Sequence, residues 1–263
     1  MEYFAISNGI PVHILDTKKG EKTILLLHGY LETLYIFNEL VEILEKKYRI
    51  VAIDLPGHGL SGSNKEVNSM EFCAQVAHDI LKKCGIEKAY VAGHSMGGYV
   101  AQNCVKLFPE TFEGLILLNS TPNADSPEKR ADREREIELI LSAKLGHLAS
   151  LSIPKMYAAC NLRRMDEKIE ETVEISETHD PNGIVACIKG MMARKDTREV
   201  LKGMQNLILM FGTEDKFITM QTREQLVAEF PHAKVALIAE TGHNSFIENP
   251  EAAVEAIDRF ING

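Results

Sequence analysis

Five apolar runs, in TILLLHG, RIVAIDLPGHG, KAYVAGHS, FEGLILLNS and NLILMFG, constrain this chain more than anything else in it. TILLLHG is continuously apolar, as expected of a strand buried on both faces; NLILMFG reads as a core strand and the other three as strands. Segments of helical period lie between them. Phe37, Leu40, Val41 and Leu44 mark one helix within residues 33–47. SMEFCAQVAHDILKKCG is a second, with Ser69 as cap and Gly85 as stop, and MGGYVAQNCVKLF a third, ended by Pro109. Strict strand–helix alternation up to about Ser120 implies a mostly parallel sheet with helices on both faces. YFAI and PVHILD, joined at SNG, add an amino-terminal hairpin. NLILMFG, MQTREQLVAEF, AKVALIAETGH and NPEAAVEAIDRFI resume the alternation later, for about eight strands in all. Residues 121–203 break the pattern, being polar and helical with no buried-strand run. The expected organisation is an α/β core of residues 1–120 and 204–263, with a helical cap inserted at 121–203.

The chain has 263 residues, 45% hydrophobic, and a net charge of −9 without a dense Lys/Arg tract. That excludes nucleic acid and anionic membrane as principal partners. The five cysteines are odd in number and scattered without a CxxC, and Cys73, Cys84, Cys104 and Cys187 fall in apolar-periodic segments. They are expected to be reduced, buried thiols of a cytoplasmic protein. No stretch reaches the roughly 18 apolar residues of a membrane span, and the first residues carry no signal-peptide pattern.

Gly93-His94-Ser95-Met96-Gly97 sits where a strand meets a helix. Glycines two before and two after a serine let a strained turn pack tightly, lift the hydroxyl clear of the sheet, and aim it at the first N–H groups of the helix. Such a serine needs a histidine base held by a carboxylate. His243, in AETGHNSF, follows the last strand. Asp215, in LILMFGTEDKF, follows the strand before it, with Glu214 as rival. The preceding core strand ends in Asn119 and offers no carboxylate, although Asp125 lies further on. His94 flanks the serine with its side chain directed away, and is kept as a candidate substrate contact. His28 and His58 read as structural or pocket-lining. Two N–H donors for an oxyanion are expected from Met96 and from Tyr30 in the loop after TILLLHG.

Together LLLHGY, AIDLPGHGLS, GHSMGG, GTEDKFI and TGHNSFIENP resemble the α/β-hydrolase superfamily over essentially the whole chain, on the branch of serine carboxylesterases and monoacylglycerol lipases. The resemblance implies catalytic Ser95, Asp215 and His243 with no cofactor and no metal, and gives Asp54 of DLPGHG a structural role bracing the elbow. Haloalkane dehalogenases and epoxide hydrolases carry aspartate where this chain has Ser95. Menaquinone-pathway synthases usually carry arginine where it has Tyr99.

The cap is expected to cover Ser95, with Met156, Tyr157, Met165, Met191 and Met192 as candidates for an acyl pocket and Arg163, Arg164 and Arg194 for a carboxylate. A cap without tryptophan or a long apolar helix, entered through the charges Glu128, Lys129, Arg130, Asp132 and Arg133, does not read as an interfacial lipase lid. The expected substrate is a small-to-medium soluble ester or lactone, with short acyl esters preferred. A thioester hydrolase, a synthase or lyase using the same residues, and a slow-turnover ligand receptor remain open.

Overall fold

A computed structural model describes residues 1–263 and places eight strands in one sheet. They are β1 (Glu2–Ser7), β2 (Ile10–Asp16), β3 (Thr23–Leu27), β4 (Arg49–Ile53), β5 (Ala89–His94), β6 (Phe112–Leu118), β7 (Leu207–Gly212) and β8 (Lys234–Ile238). The order is β1-β2-β4-β3-β5-β6-β7-β8. β2 runs antiparallel to both its neighbours, and every other pairing is parallel. The opening hairpin turns on Asn8 (φ 49°) and Gly9 (φ 81°), a two-residue left-handed turn that matches the twist of its strands.

The helices are α1 (Asn38–Leu44), α2 (Met70–Lys83), α3 (Met96–Leu107), α4 (Pro127–Leu141), α5 (Leu145–Ser152), α6 (Asp166–Glu177), α7 (Pro181–Ala193), α8 (Arg198–Gly203), α9 (Met220–Glu229), α10 (Ser245–Glu248) and α11 (Pro250–Asn262). Residues 121–203 therefore contain helices and no strand. α1 is shorter than its apolar period: Leu34–Phe37 form a 3₁₀ turn instead. Thr33 makes no side-chain cap there, and Asp54 Oδ1 accepts the Leu34 N–H at 2.8 Å. β8 stops at Ile238 rather than running on through AETGH, because Glu240 turns left-handed (φ 56°) and donates its N–H to Thr213 Oγ1.

Period-two alternation splits the strand side chains between two cores. Leu25, Leu27, Val91, Leu115, Leu117, Leu209 and Phe211 face α2 and α3. Ile24, Leu26, Ala92, Ile116, Leu118, Ile208 and Met210 face α1 and α11. Each of these side chains other than Ala92 contributes about 1.5–3 kcal/mol. The chain passes from β3 to β4 on one side and returns to β5 on the other, so the connections reverse around β3. The crevice outside the carboxyl ends of the strands at such a reversal is where sheets of this type bind ligands. No helix is long and apolar enough to cross a membrane.

The antiparallel edge is tied on by a fully buried carboxylate. Asp16 of β2 accepts from Arg49 of β4 through Nε at 3.0 Å and Nη2 at 2.8 Å, and from the Lys18 N–H at 2.9 Å. Burial alone would raise its pKa, but the hydrogen bonds from Arg49 and Lys18 bring it down to about 2. A depressed carboxylate stabilises the fold above its unfolded pKa and loses that contribution as the pH falls through the folded value. Asp16→Asn should therefore cost about 1–2 kcal/mol at pH 7. In urea titrations its deficit against the wild type should shrink between pH 4 and pH 2.

Candidate active site

Ser95 joins β5 to α3 in a left-handed backbone conformation, φ 48° and ψ −112°. A non-glycine residue held there costs about 1–3 kcal/mol unless its surroundings enforce it. The enforcement is visible. A Cβ on Gly93 would enter the Gly97 carbonyl, and one on Gly97 would enter the carbonyl oxygens of Leu27 and His28. Ser95 N–H donates to Leu118 O at 3.1 Å, and Ser120 Oγ donates to Ser95 O at 2.8 Å. Met96 opens α3, so its N–H has no acceptor within the helix.

The loop after β3 is fixed from several sides. His28 donates through Nδ1 to Gly29 O at 2.7 Å and accepts the Leu55 N–H on Nε2 at 2.9 Å. His58 Nε2 accepts the Leu31 N–H at 3.3 Å, and Glu32 Oε2 accepts the Gly29 N–H at 2.7 Å. Tyr30 N–H, between them, donates to no protein group. The DLPGHG turn braces this loop and not the elbow: Asp54 accepts from Leu34 N–H and Leu60 N–H and pairs with His13 Nδ1 at 2.8 Å.

Asp215 and His243 meet. His243 Nδ1 donates to Asp215 Oδ2 at 2.9 Å, which leaves Nε2 as the acceptor of the ring. The same carboxylate oxygen accepts from Asn119 Nδ2 at 2.8 Å, and Oδ1 accepts from the N–H groups of Phe217 (2.7 Å) and Ile218 (3.0 Å). Burial works to raise the Asp215 pKa; the His243 ring and the donors overcome it, and the net direction is down. Glu214, the rival, is exposed. Asn119, read in the sequence only as a missing carboxylate, is the second side chain on Asp215, held by Ser245 Oγ at 2.6 Å.

Ser95 and His243 line one cavity of about 540 Å³. Tyr30, Met156, Met191 and Arg194 line it too. Tyr157 does not: it is 1% exposed and packs in the core shared with Phe246 and Ile247, because Met156 takes the cavity side. His94 does not line it either, since strand alternation sends its side chain to the opposite side from Ser95. Met165 is core, Arg163 is exposed, and Arg164 donates to Glu248 O. The sequence reading missed Arg133, Glu136 and Lys155 as cavity residues. Lys129, Arg133 and Glu136 share one face of α4 by their spacing, which was the available signal. No group of His, Cys, Asp and Glu side chains is arranged to hold a metal ion.

The family model for the alpha/beta hydrolase fold matches residues 22–250. The chain belongs to the α/β-hydrolase fold family. An uncharacterised hydrolase of Bacillus subtilis is 25% identical over 260 residues, covering 92% of this chain and 90% of its own length. A pimeloyl-[acyl-carrier protein] methyl ester esterase of Nitrosomonas europaea is 24% identical, covering 94% and 98% respectively. Among solved structures, a malate-bound thermophilic esterase from Thermogutta terrifontis superposes with a TM-score of 0.92 at 26% identity, over 99% of this chain and 98% of that one. An enol-lactonase from Burkholderia xenovorans shares the fold, with a TM-score of 0.90 at 21% identity over 99% and 100%.

In this α/β-hydrolase a second imidazole–carboxylate pair lies behind the first. His94 Nδ1 donates to Leu118 O, and its Nε2 lies 3.4 Å from Glu32 Oε1, both side chains being buried. The His94 and His243 rings are 4.9 Å apart. Burial disfavours the His94 cation, but the Glu32 carboxylate outweighs it and the pKa rises; burial likewise opposes the Glu32 anion, and the His94 charge outweighs it and lowers that pKa. The raised histidine stabilises the fold below its ordinary value of 6.5 and stops doing so as the pH rises through its folded pKa. The lowered glutamate stabilises above its ordinary 4.5 and stops as the pH falls through its own. Glu32→Gln should therefore lose most stability, relative to wild type, between pH 4.5 and 6.5, with the gap narrowing on the alkaline side. Urea unfolding at acidic, neutral and alkaline pH measures this; a gap that widens steadily to pH 9 would contradict a charged pair.

Proposed function

We propose that the protein is a serine hydrolase that cleaves a small-to-medium carboxylic ester through an acyl-enzyme. The observation that carries this reading is the 2.9 Å hydrogen bond from His243 to Asp215 at the wall of the cavity that Ser95 enters from its left-handed turn. Ser95 Oγ attacks the carbonyl carbon. His243 Nε2 takes the hydroxyl proton and returns it to the leaving alcohol, while Asp215 keeps the ring in that tautomer and stabilises the imidazolium. Water then repeats the cycle on the acyl-enzyme. The N–H groups of Tyr30 and Met96 stabilise the oxyanion: one is unpaired and the other opens a helix. The mechanism assigns no step to a cofactor or metal.

Residues 121–203 act as the cap. Their helices supply Lys129, Arg133, Glu136, Met156 and Met191 to the cavity wall. A volume of about 540 Å³ is within the range of small-molecule pockets and supports short esters over long-chain lipids. The esterases among the relatives support ester hydrolysis, and a lactone would follow the same steps.

Ser95→Ala should abolish fluorophosphonate labelling and nearly all hydrolysis of 4-nitrophenyl acetate and butyrate. Asp215→Asn should keep the fold and lower kcat by about 10⁴. Full labelling of the Ser95→Ala protein would assign another nucleophile. A folded, labelled enzyme without turnover on any ester would favour the receptor or synthase readings.

A further inference from the structure

The lining of the cavity has the opposite charge balance from the rest of the chain. The protein carries a net −9, yet five lysine and arginine side chains and only two carboxylates line the cavity. Two of the seven are spent on structure. Arg194 donates to Asn123 O through Nε and Nη2, to Met191 O and Asp125 through Nη1, and stacks on Tyr99 at 3.9 Å. Asp125 is held on its other oxygen by Arg133 Nε at 2.7 Å. Asp125 is thereby neutralised, and Arg194 has little left to offer a ligand.

Arg133 is different. Its side chain is only 6% exposed, and its two terminal nitrogens have no protein partner. Guanidinium N–H groups left unclaimed on a cavity wall are free to meet a polar ligand. Two buried polar atoms on the same cavity lack partners: Tyr30 Oη and Glu136 Oε2. Both lie close enough to Arg133 to feel its charge. Burial raises the Glu136 carboxyl above its ordinary range, against the pull of the Arg133 charge. Lys129, Lys155 and Lys216 make no ion pair, and the last two are exposed. Unpaired cations around an opening attract anions over distance.

We propose that the cavity takes an ester bearing a second, free carboxylate, which the terminal nitrogens of Arg133 grip in a fork with the Tyr30 hydroxyl as a further donor. This rests on the serine-hydrolase reading and names its substrate class. The planar guanidinium matches the two oxygens of a carboxylate in a way that a lysine does not. Arg133 is a specificity residue here, acting on the substrate and not on the bond that breaks.

Matched ester pairs test this, with the carboxylate on either side of the scissile bond: mono-4-nitrophenyl adipate against 4-nitrophenyl hexanoate, and 3-acetoxybenzoate against 3-acetoxybenzamide. In at least one pair the anion should be preferred by about tenfold or more in kcat/KM, with a preference that falls as salt is added. Arg133→Gln should remove most of that preference, chiefly through KM. Arg133→Lys should keep a part of it. Lys155→Met, which breaks no hydrogen bond or ion pair, should lower it by severalfold. Equal or better use of the neutral ester in both pairs, or a preference untouched by Arg133→Gln, overturns the proposal. Fluorophosphonate labelling of Ser95 and calorimetric binding of adipate are read in every variant. Without labelling and turnover, the hydrolase reading fails by itself; adipate binding that is lost in Arg133→Gln would then still support the carboxylate site, and no adipate binding would overturn it.

Discussion

The left-handed backbone at Ser95 is the constraint on which the rest of the site depends. That conformation is unfavourable for a serine, so it exists only because neighbouring groups leave the chain no alternative. Those neighbours belong to the two strands that flank β5. Gly97 lies against the carbonyls of Leu27 and His28 at the end of β3, and Ser95 N–H is held by Leu118 at the end of β6. The register that pairs Leu27 with Gly93 and His94 with Leu118 makes both contacts possible at once. A one-residue slip would turn each strand's side chains to the wrong core, so hydrophobic burial fixes the register and the register fixes the turn.

Much of this was readable in the sequence because it is local or periodic. Both-face burial writes long apolar runs, and all five became central strands. The spacing of Gly93 and Gly97 around Ser95 is a five-residue pattern with a steric cause. Long-range pairing leaves no such trace. Asn119 and Asp215 are 96 positions apart, and nothing near Asn119 announces that its amide steadies that carboxylate. Tyr157 reads as a pocket candidate because it lies in the cap segment; it follows a 3₁₀ turn at Ile153–Met156, and its side chain goes to the second core instead. The charges at the start of α4 do not announce in sequence which of them turns inward: Arg133 is buried while its neighbours Asp132 and Glu134 are exposed.

The two imidazole–carboxylate pairs behind the cavity divide their work. Asp215 is saturated with donors, so its charge is spent on His243 and on the turn that carries it. Glu32 is spent differently: one oxygen holds the Gly29 N–H and the other faces His94. The His94 ring lies against His243 and Phe246. Glu32 therefore connects the loop bearing Tyr30 to the ring beneath His243. Buried ion pairs seldom add much net stability over an apolar equivalent, but removing one partner is costly. What the pair contributes is a fixed relation between two loops that the sheet alone does not hold together.

α4 presents the same question in another form. It buries Ile140 fully and packs Ile137 and Leu139 partly against the same core. Its amino end is capped by Ser126 and preceded by Asp125, which Arg133 and Arg194 grip from the helix itself and from the end of α7. The clamp and this apolar contact together hold the helix beside the cavity. Arg133 belongs to the clamp through Nε while its terminal nitrogens stay unclaimed by protein groups, so one guanidinium both anchors the wall and adds to the charge that the wall presents.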